Sequence, residues 1–207
     1  MKFSIQFKLW FKQVANSITQ LPQDAKVFLG RVVLLFIVWK LLYILVLIPN
    51  EVPDSWMVKQ LGKGTTAFLN NYYHTDLFTN ANTLRKKQYG NDLIPVTYST
   101  VFYKNKRKVI GIYQACDGLE LMVLYAGFII CFSGFWIRKI VFIVLGIIGL
   151  FVINILRSGL LGIISLQFPV HFDFAHKYFF NLIVYGFTFL LWIFFISNSK
   201  VNSSKSQ

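Results

Sequence analysis

The sequence predicts an all-α polytopic membrane bundle of about four transmembrane helices, with a small α+β insertion outside the bilayer. Three observations predict it. The 207 residues are 56% hydrophobic and 18% aromatic but only 14% charged, too apolar to surface a soluble domain of this length. Four apolar segments approach the length needed to cross a hydrocarbon core of about 30 Å. One polar interval, residues 50 to about 112, separates the first of them from the other three and holds most of the chain's Asn and Thr.

Residues 1–27 contain "FSIQFKLWFKQVANSITQL", whose aromatics and lysines suit an amphipathic helix lying in the membrane interface. This stretch lacks a continuous apolar core and an A-x-A-like site, so no cleaved signal peptide is expected. The first transmembrane helix is expected over 28–49, "FLGRVVLLFIVWKLLYILVLIP". Lys40 interrupts it and is expected to face another helix or a polar cavity, because a lysine facing lipid near mid-membrane is costly.

The insertion spans residues 50–118. A helix is expected around 56–72, and "LIPVTYSTVFYKNKRKVIGIYQAC" reads as two strands about a polar turn at Lys104–Lys108. The strands lead to Cys116 at the membrane edge. A membrane core of three helices then occupies 119–197, with segments over 119–136, 139–166 and 174–197. Arg138-Lys139 divides the first two, "QFPVHFDF" divides the last two, and residues 198–207 form a basic tail.

Charge placement orients the chain. Basic residues at the N-terminus, at Arg138-Lys139 and in the tail put both termini in the cytoplasm. Residues 50–118 then lie outside the inner membrane. Their nine Lys and Arg do not overturn this, since the rule fades for loops beyond about 60 residues. The formal net charge of +13 comes without a nucleic-acid-binding motif, so the bilayer rather than nucleic acid is the expected partner.

On this topology Cys116, Arg157 and His176 come from three distant regions to one face of the membrane. A cysteine attacks as its thiolate, which a nearby imidazole or cation favours. His176 is suited to take the thiol proton and return it to a leaving amine. Arg157 is suited to hold an oxyanion or a substrate carboxylate. Asn154 lies one helical turn before Arg157, placed to orient it or to donate to the oxyanion. Taken singly, each residue has a structural reading: Cys116 as a small packed residue, Arg157 snorkelling to the surface, Asp173 capping the last helix. Cys131 lies too far along its helix to pair with Cys116, at about 1.5 Å of rise per residue. No H-E-x-x-H, G-x-S-x-G or phosphate-loop motif is present, and no metal or organic cofactor is implied.

The segments "ACDGLELMVLYAGFI", "INILRSGLLGII" and "FDFAHKYFFNLIVYGFTFLLWIFF" resemble the exosortase/archaeosortase family, most nearly its compact members from Bacteroidetes. The resemblance covers roughly residues 105–197. It implies a cysteine transpeptidase or protease, with Cys116 as nucleophile, Arg157 as the essential arginine and His176 as the catalytic histidine. The implied substrates are membrane-anchored proteins with C-terminal tripartite sorting signals (a short motif, an apolar helix and a basic tail). Two features depart from the pattern. Asp117 stands where many members carry a small residue, and a carboxylate there raises the thiol pKa unless it is paired. The chain is also shorter than the eight-helix members. His171 competes with His176, which is favoured because it starts the last helix and fits the family's D-x-x-H. The alternative from another class is a non-catalytic membrane scaffold or assembly factor for an export or surface-polymer system. There Arg157, Asp173 and His176 form a structural polar network.

Overall fold

A computed structural model describes residues 22–47, 53–89, 92–104, 106–113, 118–132 and 135–203. The expected interfacial helix before residue 22, and Cys116 with its neighbour Asp117, lie outside these residues.

The chain is mostly helical and carries one three-stranded sheet. Helix α1, Gln23–Leu42, runs on through a π-helical turn, Tyr43–Leu47. Together they make a 23-residue apolar span, Ala25–Leu47, which begins three residues before the start expected from the sequence pattern, while the expected end at 49 lies outside the described residues. Helix α2, Asp54–Tyr73, opens the insertion and ends at His74, whose φ of 50° is left-handed. Strands β1 (Phe78–Tyr89), β2 (Asp92–Tyr103) and β3 (Arg107–Ile112) follow as an antiparallel meander in the order β1-β2-β3. The expected strand pair is β2 and β3. β1 has no counterpart in the pattern of the sequence.

Helix α3, Leu119–Cys131, corrects one expectation. The pattern over 119–136 promises a full span, but the helix holds 13 residues and rises about 20 Å, short of a hydrocarbon core. The chain is already extended at Phe132, just before the helix-breaking pair Ser133-Gly134. Among the described residues three helices are therefore long and apolar enough to cross a membrane, with α3 as a shorter fourth.

Helix α4, Trp136–Gln167, is 32 residues long and takes Arg138 and Lys139 into its first turn rather than leaving them in the connection. A short 3-10 turn (Pro169–His171), one α-turn (Phe172–Phe174) and a π-helical turn (Ala175–Phe179) lead into α5, Phe180–Ser203. The helix thus continues past residue 198, where a tail is expected from the sequence.

Small residues set how closely these elements approach. Tyr125 of α3 lies over Gly146 of α4, where a Cβ would overlap its ring, and donates its hydroxyl to the Phe142 carbonyl at 2.8 Å. Further along α4, Gly159 and Gly162 receive Phe68 and Leu69 of α2. About 30 Å of α4 suffices to cross the hydrocarbon, whereas its length is about 48 Å. Its last turns are sheathed by α2 and the sheet. The insertion is thereby seated on the last turns of a membrane helix. Its own core, including Leu69, Phe78, Val101 and Val109, is continuous with Leu161, Ile163 and Phe180 from α4 and α5.

The interior of α1 settles the expectation for Lys40. Its ammonium meets the Glu120 carboxylate of α3 at 2.5 Å, so the lysine does face another helix. Phe28 packs its ring against Phe128 and Phe132 at the opposite end of the same contact, which makes α1 and α3 antiparallel neighbours.

Candidate active site

Arg157 lies 21 residues into α4, about 32 Å from its start, so one hydrocarbon thickness separates it from the Trp136 end. At this level the insertion meets the bundle, and a cavity of about 410 Å³ opens between them. Its walls come from the sheet, from α4 through Arg157, Ser158, Leu161 and Ser165, and from the entry to α5 through Phe172 and His176. Two of the three residues singled out from the sequence, Arg157 and His176, therefore line one space. His176 stands within the electrostatic influence of Arg157, Asp173 and Lys177.

The route into α5 explains why His176 and not His171 lines that space. The 3-10 and π turns change the rise and rotation per residue, and the imidazole of His176 stacks on Phe172 with centroids 5.9 Å apart and planes 6° from parallel. His171 is exposed and is not part of the wall. Asp173 sits in the helical turn before His176, exposed, and makes no side-chain capping bond. π-Turns within helices are frequent at functional sites because they redirect a side chain without ending the helix.

Asn154 takes a position different from either role expected of it. It is 1% exposed, and its amide nitrogen donates to the Leu150 carbonyl one turn back, at 3.0 Å, rather than to Arg157. Its side-chain oxygen is buried without a hydrogen-bond partner. The amide rests against Gly118, where any Cβ would overlap it, and Gly118 itself has φ 79°. Glycine is thus required twice at 118, by contact and by backbone conformation. Asn154 and Gly118 pin the start of α3 to α4, one turn from Arg157.

The sheet adds residues that stand in the sequence only as charged runs. Arg85 of β1 and Lys108 of β3 line the same cavity as Arg157. Arg85 holds its guanidinium over the Tyr98 ring, 5.2 Å from the centroid, and Tyr98 in turn stacks on Tyr113 at 5.3 Å. No Asp or Glu stands in the described wall, and none of the three cations has a carboxylate partner among the described residues. The one signal in the sequence is the pair of basic runs themselves, RKK at 85–87 and KNKRK at 104–108. The described residues contain no cluster of three or more His, Cys, Asp or Glu able to hold a metal.

Three helices long and apolar enough to cross a bilayer define a multi-pass membrane protein, and a cation-lined cavity lies where the sheet meets them. A family model described as transmembrane exosortase matches residues 25–196, and the chain belongs to that family, which is one of membrane cysteine transpeptidases. No curated protein and no solved structure matches the chain.

Proposed function

We propose that the protein is a cysteine transpeptidase or protease that cuts C-terminal tripartite sorting signals at the outer face of the inner membrane, with Cys116, Arg157 and His176 as its catalytic set. The observation that carries this reading is the shared cavity wall of Arg157 and His176, with Gly118 held on Asn154 one turn away. Gly118 follows Cys116 by two residues, and two peptide units extend at most about 7 Å.

The chemistry follows from the donor set. His176 takes the Cys116 proton, and the thiolate attacks the scissile carbonyl carbon to give a tetrahedral oxyanion that Arg157 neutralises. The C–N bond then breaks, the leaving amine takes the proton from the imidazolium, and a thioester remains on Cys116. Attack by water or by an acceptor amine releases the acyl group, and His176 returns the incoming proton to the thiolate. Domain roles follow: residues 50–118 form the extracytoplasmic insertion, 119–197 the catalytic core, and α3 a fourth crossing that keeps both termini in the cytoplasm.

The test is a comparison of membrane-protein C-termini in cells carrying the wild-type chain or Cys116→Ser. Tripartite C-terminal peptides should be absent from the first and retained in the second. Equal trimming in both would favour the non-catalytic scaffold.

A further inference from the structure

We infer that Ser158 is a second donor to the oxyanion: its hydroxyl donates to the carbonyl oxygen of the bond under attack, beside the Arg157 guanidinium. The inference rests on the proposed peptidase reading and adds to it a residue outside the Cys116, Arg157 and His176 set.

Ser158 is 4% exposed, and it lines the cavity together with Arg157 and His176. Its hydroxyl has no hydrogen-bond partner among the described residues. That sets it apart from most polar side chains in the helices of this chain. Thr66, Asn154, Asn181 and Thr188 each return a donor to the carbonyl four residues back, at 2.9–3.0 Å. This back-bond is the ordinary fate of a hydroxyl within a helix. Thr65 also lacks a partner, but its oxygen is sealed inside the protein, whereas Ser158 borders open space.

Position along α4 says what the hydroxyl is for. Asn154, Ser158 and Ser165 share one face of the helix, four and seven residues apart. Asn154 meets Gly118 at the start of α3, and Ser165 donates to the Val109 carbonyl of β3 at 2.9 Å. The outer two fasten α4 to its neighbours. The one between them fastens nothing. Side chains four apart on a helix stand about 5–6 Å apart at Cβ, so Ser158 is one such step from the residue that touches Gly118. Arg157 and Ser158 lie about 100° apart around the helix, with Leu161 between them one turn on, and all three line the cavity. A negative oxygen drawn to Arg157 in this space is met by the hydroxyl of the next residue.

Packing alone does not call for serine here. Phe68 and Leu69 of α2 lie close over Gly159 and Gly162, which favours a small residue at 158. Alanine would meet that need with better helix propensity and no polar atom to bury. A preorganised donor withdrawn from water is most effective where charge develops during reaction, as on the oxyanion of a tetrahedral intermediate. Thr100, 5% exposed, is a second cavity hydroxyl without a partner among the described residues. It stands on the sheet wall rather than on the helix that carries Arg157 and Asn154, so the oxyanion role falls to Ser158.

The test compares two reactions of Cys116 in the full-length, detergent-solubilised protein carrying Cys131→Ala, with and without Ser158→Ala. With p-nitrophenyl acetate, the thiolate adds to the ester carbonyl carbon and the oxygen takes the electron pair. The intermediate then collapses, expelling p-nitrophenolate and leaving an S-acetyl thioester. With iodoacetamide, the thiolate displaces iodide at a saturated carbon and no oxyanion forms. Loss of one oxyanion donor costs roughly 10²–10³ in rate, and with Arg157 still in place Ser158→Ala should slow acetylation at least about tenfold. The alkylation rate and its pH profile should stay as in the parent protein. Equal acetylation with and without the hydroxyl would overturn the inference and leave the peptidase reading intact. A parallel fall in both reactions would overturn it too, by assigning Ser158 to the fold or to the thiolate. Acetylation of the parent no faster than that of a Cys116→Ser control would sink the peptidase reading, and this inference with it.

Discussion

Helix α4 carries Lys139, beside Arg138, in its first turn and Arg157 toward its other end, and the surroundings of Lys139 and Arg157 could hardly differ more. Lys139, in the first turn, is buried, and its ammonium is taken up by the carbonyls of Ile130 and Phe132 and by the Trp136 ring 4.7 Å away. It closes the C-terminal end of α3, where unsatisfied carbonyls collect. Arg157, about 18 residues on, reaches none of the described carbonyls or carboxylates and lines a cavity with His176. A charged residue inside an apolar helix is costly in either place. Where its donors are consumed by neighbouring backbone, the charge serves the fold. Where they are left over beside a cavity, they are available to a ligand.

Substitutions that exchange these fates sharpen the contrast. The largest effect is expected from Arg157→Ala, which should lower processing by roughly 10²–10³ through loss of oxyanion stabilisation while leaving thermal unfolding near wild type. His176→Ala should follow at roughly 10²–10⁴ in rate, again with little change in stability. His171→Ala, on an exposed residue outside the cavity, should leave the rate unchanged. Gly118→Ala should act on both properties, because it forces a side chain into a left-handed φ and into the Asn154 amide. A cost of roughly 2–4 kcal/mol is expected, read as a lower unfolding temperature together with reduced processing.

Lys139→Met should show the reverse of Arg157→Ala. Stability should fall by roughly 1–3 kcal/mol, and activity should fall only as far as the folded fraction does. An Lys139→Met protein that folds normally yet cannot process would break the comparison. The smallest effect is expected at the Lys40–Glu120 pair. The pair joins two helices of the bundle, and a double-mutant cycle should give about 0.6 kcal/mol of coupling, the average for interhelical polar pairs within membranes.

Much of this arrangement is legible in the amino-acid sequence wherever a local pattern carries it. The apolar runs locate α4 to within three residues at each end and mark α1 and α5 more loosely, and the turn at Lys104–Lys108 marks β2 and β3. β1 escapes because residues 81–86 are exposed on both faces, so no alternation of apolar and polar residues betrays the strand. Its pairing with β2 is written in backbone hydrogen bonds. The length of α3 escapes because the apolar pattern runs on past Cys131, where the helix ends. The role of Lys40 is half legible: the sequence requires a partner, and only the antiparallel packing of α1 on α3 names Glu120. The cationic cavity is illegible for a different reason. Arg85, Lys108 and Arg157 are brought together by a strand register and a helix contact that no short window contains. Asn154 stands out in the sequence, but its use against Gly118 depends on how closely α3 and α4 approach.

The central claim is that Cys116 is a nucleophile poised by Arg157 and His176. The most direct measurement is the alkylation rate of Cys116 against pH in detergent-solubilised protein carrying Cys131→Ala, repeated with Arg157→Ala and with His176→Ala. A thiolate forming well below the free-cysteine pKa of about 8.5, and lost in either variant, is the predicted result. An ordinary thiol whose profile ignores both substitutions would contradict it and leave the cavity a binding site without a nucleophile.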